Sequence, residues 1–81
     1  MLLTKQDFIK IKHQIKSMCL PNLLKLCNEV GLNEYETNLL TCINQDMSRV
    51  AISFKLGCSE WKISTDMRKI FTKIMDYTSL D

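Results

Sequence analysis

A chain of 81 residues with a hydrophobic content of 46% is long enough for one small domain and too apolar for intrinsic disorder. Two glycines and one proline leave most of it free to be helical, and no apolar run reaches membrane-spanning length. The net charge of +2 hides an alternation, because residues 1–27 and 48–75 each carry +4 while residues 28–47 carry −4.

Thr4 followed by Asp7 predicts an N-cap with an acid in the first turn. Phe8, Ile11, Ile15 and Met18 then recur at steps of three and four, the apolar stripe of a helix, with Lys10, Lys12, His13 and Lys16 largely off it. Pro21 ends that helix or opens the next, since proline is tolerated in a first turn. Leu23, Leu24, Cys27 and Val30 form a second short apolar face, and Gly31 is placed as its C-terminal cap. Asn33 with Glu36 fits a capping box, behind which Leu39, Leu40, Cys42 and Ile43 supply a third face. Asp46-Met47-Ser48 is a break that supplies a new N-cap for a fourth helix, Arg49 to Leu56. Gly57-Cys58-Ser59 is a turn and a further cap, after which Ile63, Met67, Ile70, Phe71 and Ile74 keep helical spacing to about Met75; residues 77–81 are expected to fray. The pattern contains no strand signal, repeat or low-complexity linker. The expected fold is all-α, a single domain with about four or five helices.

The four cysteines, Cys19, Cys27, Cys42 and Cys58, are separated by 7, 14 and 15 residues, and His13 is the one histidine, so neither a zinc site nor any other metal or cofactor is expected. Apolar neighbours at helical spacing suit all four thiols to burial as small hydrophobes in a reducing compartment. Lys5, Gln6 and Asp7 interrupt the start before a signal-peptide core develops, so a cytoplasmic location without membrane contact is expected. No glycine-rich phosphate loop, His–Cys arrangement or placed carboxylate pair is present, and an enzyme is not expected.

The informative segment is Ile52 to Ile63. A helix-turn-helix needs apolar anchors on its first helix, supplied by Ile52 and Leu56, and a small residue at the crossing, supplied by Ser53. Its turn favours a residue able to take positive φ, which Gly57 provides. Cys58 then points inward, Ser59 caps the second helix and Ile63 returns to the core. Glu60, Trp61, Lys62, Ser64, Thr65, Arg68 and Lys69 are left on or near its outward side, the side able to enter a major groove.

Leu32-Asn33, Glu36, Leu39-Leu40, Ile43, Ser48, Ile52-Ser53, Leu56, Ser59, Ile63 and Lys73-Ile74 make one ungapped pattern from Leu32 to Met75. In that pattern, which covers about half the chain, the segment resembles the LuxR-type helix-turn-helix DNA-binding domain and, less closely, region four of bacterial sigma factors. Leu32-Asn33 stand where that family usually has Leu-Thr, and Glu36 stands at its characteristic glutamate. Ser48 matches the serine opening the scaffold helix, and Lys73-Ile74 resemble the Lys-Leu closing the recognition helix. The departures are Asp46 in place of a common glycine and Asp66 in place of a frequent histidine. The family's fourth helix, often used to dimerise, is not expected in these 81 residues, nor is a receiver or ligand-sensing domain. Residues 1–31 are expected instead to form a helical extension that covers the exposed core or makes a dimer contact.

The resemblance implies a sequence-specific DNA-binding transcription regulator with residues 32–75 as the helix-turn-helix. Trp61, Lys62 and Thr65 would approach base edges or the phosphates beside them. Lys69 and Arg68 would contact the backbone, joined by Arg49 and Ser48 from the start of the scaffold helix. The partners implied are double-stranded DNA and a second copy through the helix Thr4–Met18. The alternative is a protein-interaction module on the same scaffold, binding RNA polymerase or a host protein through the acidic Glu34–Asp46 segment and Trp61, as in a phage or mobile element.

Overall fold

A computed structural model describes residues 3–79, and among these the chain is all-α, with five helices and no strand. They are α1 (Lys5–Ser17), α2 (Leu20–Val30), α3 (Glu34–Asn44), α4 (Arg49–Leu56) and α5 (Glu60–Ser79). None is long and apolar enough to cross a membrane.

The helix boundaries follow from local chemistry. The Thr4 hydroxyl accepts from the Asp7 amide at 3.1 Å while the Asp7 carboxylate accepts from the Thr4 amide, a reciprocal box that starts α1. Asn33 and Glu36 repeat that arrangement at α3, and the Ser48 hydroxyl caps α4 by accepting from Ala51. Pro21 stands in the first turn of α2 and so opens that helix. Gly31 and Gly57 end α2 and α4 at φ of 84° and 67°, the left-handed region that a side chain resists. Asp46 reaches φ of 61° in the α3–α4 loop, which explains why glycine suits that position; its carboxylate pairs with Lys16 at 2.9 Å.

α3 and α5 lie at the centre, each packed against the other four helices or their ends. The fully buried side chains form one cluster drawn from all five helices. Ile11 and Ile15 come from α1, Leu23 and Cys27 from α2, and Leu39, Leu40, Cys42 and Ile43 from α3. Ile52 comes from α4, and Ile63, Met67, Ile70, Phe71 and Ile74 from α5. Phe71 is completely buried and meets the Phe8 ring at a centroid distance of 4.9 Å, so α1 is laid directly on α5. Where α1 ends, the Asn44 amide donates to the carbonyls of Ile15 and Met18 at 2.8 and 2.7 Å. A side chain of α3 thus satisfies the terminal carbonyls of α1.

Three expectations need correction. Leu24 is exposed, because the face of α2 that turns inward carries Leu23, Cys27 and, partly, Leu26. Cys19 is also exposed, because it occupies the N-cap position of α2, outside the packed face; Cys27 and Cys42 are buried and Cys58 is half-buried, all as free thiols. Finally, α5 continues past Met75 through Ser79, since Ile74 and Met75 still pack on the core and the Tyr77 hydroxyl donates to Glu29 at 2.6 Å. Leu80 and Asp81, the rest of the segment expected to fray, lie outside the described residues.

Replacing Phe71 by Ala removes the ring that joins α1 to α5, and should lower stability by about 3–5 kcal/mol. Replacing Asn44 by Ala removes the side-chain donor from both carbonyls, of which that of Ile15 keeps the Met18 amide at 3.3 Å, and should cost about 1–3 kcal/mol. Urea denaturation followed by far-ultraviolet dichroism checks both, and a negligible effect at Asn44 would mean that water serves those carbonyls equally well.

Candidate functional site

The surface of α5 is set by what its opposite face buries. Ile63, Met67, Ile70, Phe71 and Ile74 recur at steps of three and four and turn inward, so by helical position Trp61, Thr65 and Thr72 form the ridge opposite the core, Trp61 exposed and the two threonines half-buried. Trp61 is 78% exposed, in the first turn of α5. Three residues, Gly57-Cys58-Ser59, connect α4 to this helix. The Cys58 amide donates to the Ser53 carbonyl and the Ser59 hydroxyl accepts from the Lys62 amide at 3.1 Å. The turn is therefore closed by backbone bonds and α5 begins on a capped end.

The residues singled out in the sequence fall into two groups on either side of the ridge. Toward α3, Lys62 and Lys69 line a polar recess with Asn33, Tyr35, Glu36 and Asp66. Toward α4 and α1, Arg49 and Arg68 line a second recess with Lys5, Phe8, Ile9 and Ser64. Trp61 and Thr65 stand between the groups by helical position. The structure therefore does not gather one basic patch; it places cations along both margins of an exposed helix.

The α3 side is internally neutralised. The Asp66 carboxylate accepts from the Lys62 ammonium at 2.6 Å and from the Tyr35 hydroxyl at 2.7 Å, and the same ammonium sits 4.9 Å from the centre of the Tyr35 ring. These contacts hold the Asp66 carboxyl below the usual aspartate range, first through Lys62 and then through Tyr35. They raise Lys62 through Asp66, and Tyr35 is pushed up by burial and by donating to the carboxylate. Glu36 is lowered chiefly by its bond to Lys73 at 2.8 Å. Asp66 is thus paired and turned partly inward, with 16% of its side chain exposed.

The remaining expected contacts have local partners. The Thr65 hydroxyl donates to the Trp61 carbonyl and the Ser48 hydroxyl is engaged as the N-cap of α4. Arg49, Arg68 and Lys69 are exposed, and none of the three is in an ion pair among the described residues. The acidic Glu34–Asp46 segment is less available than its sequence suggests, because Glu36 and Asp46 are tied to Lys73 and Lys16. The apolar stripe of α1, proposed as a dimer contact, has Ile11 and Ile15 inside the chain's own core. Among the described residues no three of His, Cys, Asp and Glu are grouped so as to hold a metal ion.

Two surface residues were not singled out. Phe54 is 83% exposed, with Val50 one turn before it on the outer face of α4. The signal was in the sequence, since Ile52 and Leu56 fix the inner face and leave residues 50 and 54 off it. Lys5 approaches Arg49 and Arg68 only through the packing of α1, which no local pattern foretells. Compared with known proteins, the chain significantly matches no family model, no curated sequence and no solved structure.

The lowered carboxyls of Asp66 and Glu36 have a sign-definite consequence. A carboxyl depressed in the folded state contributes stability above its unfolded value, about pH 4, that is lost as pH falls through the folded value. Wild-type stability should therefore decline on acidification below about pH 4. Asp66→Asn should start lower at neutral pH and decline less. Denaturation midpoints at pH 7 and pH 3 read this directly, and parallel declines in the two proteins would remove Asp66 from the account.

Proposed function

We propose that the chain binds double-stranded DNA as a sequence-specific transcription regulator, with α4 and α5 acting as a helix-turn-helix and α5 entering the major groove. The observation that carries the reading is the form of α5: Trp61 exposed on its outer ridge beside the half-buried Thr65, with Arg49 and Arg68 on one margin and Lys69 on the other, none of the three in an ion pair among the described residues. A helix in a major groove runs between two phosphate backbones, so positive charge on both flanks and hydrogen-bonding or planar side chains on the ridge match what it meets. Arg68 and Arg49 would contact one backbone, and Lys69, with Lys62 when released from Asp66, the other. Trp61 and Thr65 would face the base edges.

The resemblance to the LuxR-type domain gains support from one long-range contact. Glu36 and Lys73, both matched to that family's pattern, are 37 residues apart and meet at 2.8 Å. Two positions chosen on sequence alone thus form one bridge between α3 and α5, as two parts of a shared scaffold would. A homodimer remains part of the reading, through surfaces other than the buried stripe of α1.

A second reading is favoured by Val50 and Phe54. An aromatic ring exposed to 83% beside a second apolar residue suits a protein partner such as RNA polymerase, as charge-free positions on a phosphate-facing surface would not require.

Anisotropy titrations of a random duplex across a salt series separate the two readings. DNA binding predicts affinity that falls steeply with salt. Arg68→Gln and Lys69→Gln should each flatten the slope of log K against log salt by about one. Phe54→Ser should leave the slope unchanged while removing any association with RNA polymerase core enzyme. Absence of duplex binding at low salt, with polymerase binding that Phe54→Ser abolishes, would replace the first reading by the second.

A further inference from the structure

The recess toward α1 and α4 differs from its counterpart across the ridge. It is an open recess of about 630 Å³. Its charged residues are Lys5, Arg49 and Arg68, with no acid among its walls. None of the three is in an ion pair among the described residues, whereas Lys62 and Lys73 on the other side both are. The one acid in the first turn of α1, Asp7, is used in the capping box and lines a different recess. Phe8 and Ile9 give the recess an apolar wall and Ser64 a hydroxyl.

Lys5 and Arg49 are also the first residues of α1 and α4. A helix favours acids at its N-terminus and disfavours cations there, because the exposed amides already carry partial positive charge. Two helices beginning with a cation, both bordering the same recess with a third cation from α5, raise the local potential, and no acid lines the recess to offset it. An oxyanion entering that space would be bordered by cations from three helices, with Phe8 and Ile9 as an apolar wall beside it.

We propose that this recess holds a phosphate of the DNA backbone between Lys5, Arg49 and Arg68, making α1 part of the nucleic-acid interface. The proposal rests on the DNA-binding reading and extends it to a helix outside the helix-turn-helix.

The test compares wild type, Lys5→Gln and Lys25→Gln in duplex anisotropy over a salt series. Lys25 is exposed on α2 and does not line the recess, so its replacement removes the same charge elsewhere. The expected result is a slope lowered by about one in Lys5→Gln and unchanged in Lys25→Gln. Because Lys5 opposes its own helix, Lys5→Gln should keep or raise the thermal midpoint, so weaker binding cannot be ascribed to unfolding. A wild-type slope in Lys5→Gln, with duplex binding intact, overturns the α1 contact and leaves the DNA reading standing. Equal losses in both variants assign the effect to net charge and overturn the recess as a site. No duplex binding by wild type overturns both readings together. Inorganic phosphate, titrated with amide shifts of residues 5, 49, 64 and 68 as readout, separates the source. Saturation at submillimolar phosphate would assign the recess to a free anion instead of the backbone.

Discussion

The rotation of α5 about its own axis is the constraint on which the rest of the surface depends. Ile63, Met67, Ile70, Phe71 and Ile74 are each almost wholly buried, and they touch a core to which every other helix contributes. Turning α5 by one residue would carry Phe71 or Ile70 into water and a lysine or threonine inward. Exposing one such side chain forfeits about 1.5–3 kcal/mol, a large part of the margin a domain this small possesses. The ridge of Trp61 and Thr65 is therefore fixed by hydrophobic burial behind it, independent of what it meets in front. A recognition surface built this way is pre-organised, since the side chains that would face a partner do not also have to hold the helix in place.

The helix ends were legible because their chemistry is local. Thr4 with Asp7, Asn33 with Glu36, Ser48, Ser59, Gly31 and Gly57 act within three or four residues of themselves, and spacing alone exposes them. The inward faces of α3 and α5 were legible for a similar reason, as periodicity states which residues share a side. What escaped was tertiary. Leu24 has helical spacing compatible with burial, yet α2 turns Leu23 and Cys27 inward and leaves Leu24 to solvent. The length of α5 was underestimated because Tyr77 is held by Glu29, a residue 48 positions away that no local rule connects to it.

The candidate site shows the same division. Sequence placed Trp61, Lys62, Thr65, Arg68 and Lys69 on the outer side of one helix, where they are. It could not tell that Asp66 bends back to Tyr35, so that this acid is tied to Lys62 and a phenol. Nor could it separate Arg68 from Lys69, which are adjacent in sequence but belong to opposite margins of the helix.

The distribution of unsatisfied features over the surface bears on which side is functional. On the α3 side and at the ends of the bundle most of the charges near the core are matched, Lys62 with Asp66, Lys73 with Glu36 and Lys16 with Asp46, with Lys69 left unpaired among the described residues. On the side formed by α1, α4 and the ridge of α5, local rules are broken repeatedly. Two helices begin with a cation, three cations share a recess without an acid, and Ile9, Val50, Phe54 and Trp61 are left in water. Leu20 and Leu24 on α2 are exceptions, so exposure of a single apolar residue is not diagnostic. The coincidence of unpaired charge with exposed aromatic rings on one side is more informative. Folded sequences depart from local consistency mainly where a partner restores what the chain lacks. On that ground the proposed DNA interface spans α1, α4 and α5, with Lys5 of the N-terminal extension lining the same recess as Arg49 and Arg68.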